Sequence, residues 1–280
     1  MIIEKIAEKV DFDLSESASI DFVHMMKRQF EIRQKESKSL RISGLGKPAV
    51  LQALSWLGHE QESVSFQSKM RFFDGDVFEA QIVALAKSIG INITDDQLEV
   101  RFEGVKGHVD GIFEGKLVEI KTANDNFFKA VQRTPLALED RGYLTQAGCY
   151  CAGLGLEDYL FLLKNKNTGE LFEVEGKPDR ELVSRAGRVI HKIQGMKNAE
   201  DILAPESGIR APVPVKEFYK KEETGKFLLP QAMAYSPYRS AFYDLRTGKN
   251  GYNKDTEYCV GVKELVKDEE LKDAFNRNRD

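Results

Sequence analysis

Apolar positions in this chain come in two rhythms, one helical and one of short runs closed by glycine. Between residues 15 and 36, Ile20, Phe22, Val23, Met26 and Phe30 recur at helical spacing. Residues 39–58, SLRISGLGKPAVLQALSWLG, predict a loop with two glycines and a proline that leads into an apolar helix. In DGDVFEAQIVALAKSIG, residues 74–90, Phe78, Ile82, Leu85 and Ile89 form a core stripe, with Asp76 as N-cap and Gly90 as terminator. Residues 97–122 read as strands. RGYLTQAGCYCAGLG (141–155) predicts a helix ending in glycine, and DYLFLLKNKNTGELFEVEG (158–176) a hairpin with an Asn-Thr-Gly turn. KPDRELVSRAGRVIHKIQGMK (177–197) reads as a capped amphipathic helix. The order of helices and strands predicts an α/β core with a mixed sheet.

Composition bounds this picture. The 280 residues are 41% hydrophobic and 31% charged, enough to bury a sizeable core. No apolar run reaches the roughly 20 residues of a membrane span, and the first residues carry acids rather than a long apolar stretch, so neither membrane span nor signal peptide is expected. Cys149, Cys151 and Cys259 make neither a disulfide framework nor a structural zinc pattern, and read as reduced thiols of a cytosolic protein. A net charge of −4 argues against coating nucleic acid by bulk positive charge, but leaves room for a local basic groove.

The segment GHVDGIFEGKLVEIKT, residues 107–122, carries charges where a strand would bury apolar groups. With Glu114-Gly115 as a two-residue turn, Phe113 faces Lys116, and the ladder then sets Asp110 opposite Glu119 and His108 opposite Lys121. Side chains alternate, so Glu119, Lys121, Asp110 and His108 share one face. Two carboxylates that close repel each other. A hard divalent cation between them removes the penalty, and Mg²⁺ commonly binds through one or two carboxylates plus water and phosphate. Lys121 would then reach an attacking water or a phosphate, which describes phosphodiester hydrolysis. A solvated strand face explains the same charges without chemistry.

GHVDG followed by VEIKT resembles the D…ExK core of the PD-(D/E)XK nuclease superfamily. YLTQAGCYCAGLG, with Gln146 and Tyr150, resembles the QxxxY element of its RecB-type and phage-exonuclease-type members. Glu79 matches the acid on the preceding helix, and RISGLGKPAVLQAL is similar to the Ser-containing opening segment of the same group. The resemblance covers about residues 41–165. It implies a restriction-endonuclease-like fold, a central mixed sheet flanked by helices. Here that gives a helical N-terminal extension (1–40), a nuclease core (41–203) and a C-terminal appendage (204–280). It implies Mg²⁺ or Mn²⁺ held by Asp110, Glu119, the Ile120 carbonyl and Glu79, with Lys121 acting on the nucleophile. Gln146 and Tyr150 would contact substrate. Arg41, Ser43 and Lys47, in a loop beside a helix start, read either as DNA contacts for a terminal phosphate or as a solvated loop. Many RecB-type members have His in place of Glu79, and Glu points toward the phage exonucleases. Three cysteines, none in the opening segment, imply no iron–sulfur cluster.

The implied activity is a DNA exonuclease in recombination, repair or phage DNA metabolism. It would work in the cytoplasm (the host's, for a phage gene), as a homo-oligomer or with a recombination partner protein. An endonuclease of the same fold and a catalytically silent DNA-binding subunit are the alternatives. Local readings compete at several residues. Asp76-x-x-Glu79 is also a capping box, which would make Glu79 a helix-end residue. His108 could be a second base or a plain strand residue. Gln146 and Tyr150, four apart, share a helical face. Lys216, Lys220 and Lys221, interleaved with Phe218 and Tyr219, could track a DNA backbone or form a solvated surface.

Overall fold

A computed structural model describes residues 2–9, 20, 22–27, 40–47, 49–58, 66–197, 242–244, 249–250 and 261–262. The chain divides into two compact units. The first comprises Met1–Ser37, Arg41–Gly46 and Ser65–Gly187, and the second Lys38–Leu40, Lys47–Val64 and Arg188–Asp280.

The first unit holds a four-stranded mixed sheet in the order β3-β4-β5-β6, made of Gly111–Phe113, Lys116–Ala123, Tyr159–Asn165 and Leu171–Gly176. β3 and β4 are antiparallel, β4 and β5 parallel, β5 and β6 antiparallel. A two-stranded hairpin, β1 (Glu99–Phe102) and β2 (Val105–His108), stands apart from it. The helices are α1 (Ile2–Lys9), α3 (Phe66–Ser88), α4 (Asp125–Arg133), α5 (Tyr143–Leu154) and the first part of α6 (Arg180–Gln194), with residues 22–27 also helical. The second unit contains α2 (Ala49–Trp56), the end of α6 and a small sheet of β7 (Phe242–Asp244), β8 (Lys249–Asn250) and β9 (Gly261–Val262) in the order β8-β7-β9. The α/β architecture with a helix-flanked mixed sheet agrees with the sequence pattern.

One sheet face supplies the main core. Val118 and Ile120 of β4 and Leu160 and Leu162 of β5 bury against Phe78, Ile82 and Leu85 of α3 and Ile2 and Ile6 of α1. Alternation therefore turns Glu119 and Lys121 to the opposite face, toward α4 and α5. This explains how β4 carries charges while its residues 117–120 are all buried. The parallel β4–β5 pair needs a long crossover. α4, a 3-10 segment (Pro135–Arg141) and α5 provide it. Asn124 caps α4, its side chain accepting from the Phe127 N–H at 2.9 Å.

Several local expectations change. Asp76 does not start a helix: α3 begins at Phe66 and runs through it. A mid-helix glycine such as Gly75 costs only about 1 kcal/mol, so DGD reads falsely as a start. The capping-box reading of Glu79 falls with it. Gly90 does end the helix, at φ +81. Among the N-terminal apolar residues, Ile20 and Val23 are exposed, whereas Met25 is buried with Phe22 and Met26 beside it. Phe30, the basic run at 215–226 and Cys259 lie outside the described residues.

Candidate active site

The site is built where two antiparallel pairings meet. Glu114 and Gly115 have φ of +48 and +76, the signature of a type I′ turn, and Phe113 pairs with Lys116 as the sequence predicts. That ladder runs only to Gly111 opposite Val118. A Cβ on Gly111 would lie 2.4 Å from Ile93 Cγ2, so the strand passes tightly over the residues before β1. One residue earlier the chain leaves the sheet for the other hairpin. The Val109 carbonyl accepts from the Gln97 N–H at 2.8 Å, and His108 pairs with Glu99. His108 is therefore not opposite Lys121, which removes it from the charged face. A second Glu-Gly turn, at Glu103-Gly104 with φ +47 and +76, closes that hairpin.

Asp110, at the crossing, still reaches β4. Its Oδ2 accepts from the Ile120 N–H at 2.7 Å and from Lys121 Nζ at 3.2 Å. Lys121 Nζ is also 2.6 Å from Glu119 Oε2. The ammonium thus bridges the two carboxylates whose repulsion the sequence raised. Glu119 is fully buried, and burial pushes its carboxyl up to about 7, against the opposing pull of Lys121. Burial alone would lower Lys121, but the carboxylates of Asp110 and Glu119 outweigh it and hold the ammonium well above its usual range.

α5 lies over this face. Gln146 Nε2 donates to Glu119 Oε2 at 3.1 Å. Tyr150 hydrogen-bonds Gln146, and its ring rests on the bare backbone of Gly107, where a Cβ would come within 2.7 Å of it. Tyr150 is 1% exposed and Gln146 7%. The pair is buried, and Gln146 bonds the Glu119 carboxylate. Burial also raises the Tyr150 hydroxyl, which stays protonated.

Glu79 projects from the middle of α3, where its Oε1 accepts from Gln97 Nε2 at 2.6 Å. Gln97 was not singled out by sequence. Its φ of +59 is unusual for a non-glycine residue, and its backbone N–H holds Val109, next to Asp110. Gln97 thereby ties the helix acid to the Asp110 strand. The 3-10 turn Ile42–Gly44 carries Arg41 and exposed Ser43 to the same unit. The Arg41 backbone pairs in an isolated parallel β-bridge with Lys106, and Ile42 lies with Tyr150 at Gly107. Lys47, expected beside them, belongs to the second unit, where its carbonyl accepts from Gln52 Nε2 at 2.8 Å.

A divalent ion fits these groups in one telling respect. Glu119 Oε1 is buried without a hydrogen-bond partner, a costly state that a cation would relieve. Among the described residues no three His, Cys, Asp or Glu side chains gather as a ready metal cluster. Two carboxylates with water and substrate oxygens suffice for Mg²⁺, though not for a zinc site. Cys149 and Cys151 are buried, and burial pushes both thiols up to about 12. Among the described residues no helix is long and apolar enough to cross a membrane.

No family model and no curated protein matches the chain. Solved structures with a distant likeness include the alkaline exonuclease LHK-Exo from Laribacter hongkongensis. It is 14% identical with a TM-score of 0.42, and the match covers 59% of this chain and 91% of that one. LHK-Exo in complex with dAMP gives 14% and 0.41, again over 59% and 91%. A phage related exonuclease from Haemophilus somnus 129PT gives 16% and 0.38 over 60% and 96%.

Proposed function

We propose that the first unit is a divalent-metal-dependent deoxyribonuclease acting from DNA ends. The observation that carries this reading is the convergence of Asp110, Glu119 and Lys121 on one face, with one Glu119 oxygen buried and unsatisfied. Asp110, Glu119 and the Ile120 carbonyl would hold Mg²⁺ or Mn²⁺, and Glu79, bonded to Gln97 and not gathered with the two acids, would have to turn to them to join the set. The ion would supply charge for the phosphate and acidify a bound water.

The side chains supply the rest. Lys121 stays protonated, so it donates hydrogen bonds to the attacking water or a phosphate oxygen and cannot serve as base. Glu119, raised toward neutrality by burial in the metal-free protein, would give up its proton to become a ligand when the ion binds. Gln146 fixes the Glu119 carboxylate, and Tyr150 fixes Gln146. Gln97 holds Glu79 and the strand before Asp110 in one frame. Arg41 and Ser43, flanking Ile42, which lies with Tyr150 at Gly107, would meet DNA.

The test is digestion of end-labelled linear and closed circular DNA with Mg²⁺, Mn²⁺ or EDTA. Metal-dependent release of nucleotides from linear DNA alone is expected. Cutting of closed circles would make the enzyme an endonuclease. No metal-dependent cleavage of any DNA would overturn the proposal.

A further inference from the structure

A line of ring contacts leads outward from the reactive lysine. Lys121 Nζ stands 5.7 Å from the centroid of Tyr143, the first residue of α5. Tyr143 meets Phe127 of α4 edge-on at 6.1 Å, and the Arg141 guanidinium lies over the Phe127 ring at 4.5 Å. Arg141 is exposed. Arg185 is paired with Glu139 and Lys129 with Asp125. Among the described residues Arg141 has no carboxylate partner, and its contact with Phe127 is the one it makes.

The geometry points to Arg141 as a backbone-phosphate contact for the nucleic-acid strand whose scissile bond lies at Asp110, Glu119 and Lys121. Stacking uses the flat face of a guanidinium and leaves its N–H edges free to fork a phosphate. The Phe127 ring fixes the group, which lowers the entropy lost on binding. The backbone fixes it too. Gly142, the next residue, has φ +72, and a Cβ there would fall 2.5 Å from the Gly46 backbone. Arg141 therefore ends a rigid corner rather than a free loop. Contacts of 5.7, 6.1 and 4.5 Å keep it within a few nucleotides of Lys121, since a stacked strand advances about 3.4 Å per nucleotide. Tyr143, half-buried between them, offers a ring along that path.

This inference rests on the nuclease reading, and its test separates the two. The probe is a short labelled single-stranded DNA, titrated in Ca²⁺ at several salt concentrations, against wild type, Arg141→Gln and Arg141→Lys. Arg141→Gln should weaken binding about tenfold and cut the slope of log affinity against log salt by about 0.7, one phosphate contact on a single strand. Arg141→Lys should keep the slope and lose part of the affinity. Thermal melting of both variants should match wild type, because the side chain is exposed. Unchanged affinity and slope in Arg141→Gln, with wild type binding DNA, would overturn this inference and leave the nuclease reading standing. Failure of wild type to bind or cleave any DNA would overturn both.

Discussion

Lys121→Met gives the sharpest test of the site's electrostatics. The substitution keeps a long unbranched side chain and deletes the charge. In metal-free protein it strips the counter-ion from Glu119, which is fully buried, and from Asp110, at 2.6 and 3.2 Å respectively. Removing one partner of a buried ion pair costs about 3–5 kcal/mol. For a unit of this size that lowers the melting temperature by about 6–20 °C at roughly 2–4 °C per kcal/mol. The loss should shrink as pH falls, because burial already holds the Glu119 carboxyl at about 7 and Lys121 opposes that rise. Without the ammonium, Glu119 takes its proton at higher pH still, and by about pH 5.5 little of its own charge remains. Mn²⁺ should then stabilise the variant more than wild type, since the ion replaces a missing cation instead of competing with a present one. Activity should be lost. The measurement is circular-dichroism melting of both proteins near pH 8 and pH 5.5, each with EDTA and with Mn²⁺. A variant that melts with wild type near pH 8 in EDTA, or whose deficit is the same at both pH values, would refute the bridging role.

Other outcomes follow from the same contacts. Gln146→Ala removes the amide that orients Glu119, and should weaken Mn²⁺ binding by about 10- to 100-fold in calorimetry; undiminished affinity would detach Gln146 from the metal site. In EDTA, wild type should become more stable as pH falls from about 8 to about 5. Glu119 has a folded value near 7 against 4.5, so its stabilising contribution is complete below 4.5 and is lost as pH rises through 7, by about 3 kcal/mol in all; urea titrations across that range check the sign. Gly107→Ala places a Cβ 2.7 Å from the Tyr150 ring and should cost stability by about 1–3 kcal/mol together with activity; a neutral result would mean that Tyr150 moves without consequence. Gln97→Ala frees Glu79 and should raise the metal concentration needed for half-maximal cleavage, while kcat at saturating metal changes less.

The sequence made the charged hairpin legible because a two-residue turn fixes its register. Glu114-Gly115 at positive φ settles Phe113 against Lys116, and with it the side of the sheet on which Glu119 and Lys121 emerge. The helix of Gln146 and Tyr150 was legible for the same reason, a four-residue spacing bounded by glycine. What escaped depended on tertiary contact. Nothing in a strand pattern says that the ladder stops at Gly111, since Ile93 and Thr94, far along the chain, cause the stop. The turn's register extended past Gly111 sets His108 opposite Lys121, whereas His108 pairs with Glu99. The burial of Tyr150 rests on the missing side chain of Gly107, and a glycine in a strand does not announce which ring will use the space. α4 is signalled locally by Asn124 before Asp125, a helix-start pair, with no glycine to mark its end. Gln97 carries no motif, and its role appears only when α3 and the Val109 strand are seen together.

The placement of Asp110 shows why a sheet tolerates this cluster. Inside a continued ladder, Asp110 would stand on a rung opposite Glu119, and the pair would repel with no room for a third group. By leaving the ladder one residue early, the backbone lets the Asp110 carboxylate turn to the Ile120 N–H, while Lys121 enters between the two acids. The departure is enforced by packing at Gly111 and by the Val109 bonds to Gln97 and Leu98, all outside the charged cluster. The charges therefore do not hold the fold together; neighbouring backbone holds the charges. A site arranged in this way keeps an unsatisfied Glu119 oxygen and a carboxyl poised near neutrality, which a self-sufficient salt bridge would have consumed. The same logic extends to α5, where Gln146 spends its amide on Glu119 and leaves the Oε1 atom open. Stability lost at that oxygen in the metal-free protein is affinity available to a cation, since an ion that binds only the folded state recovers it on binding.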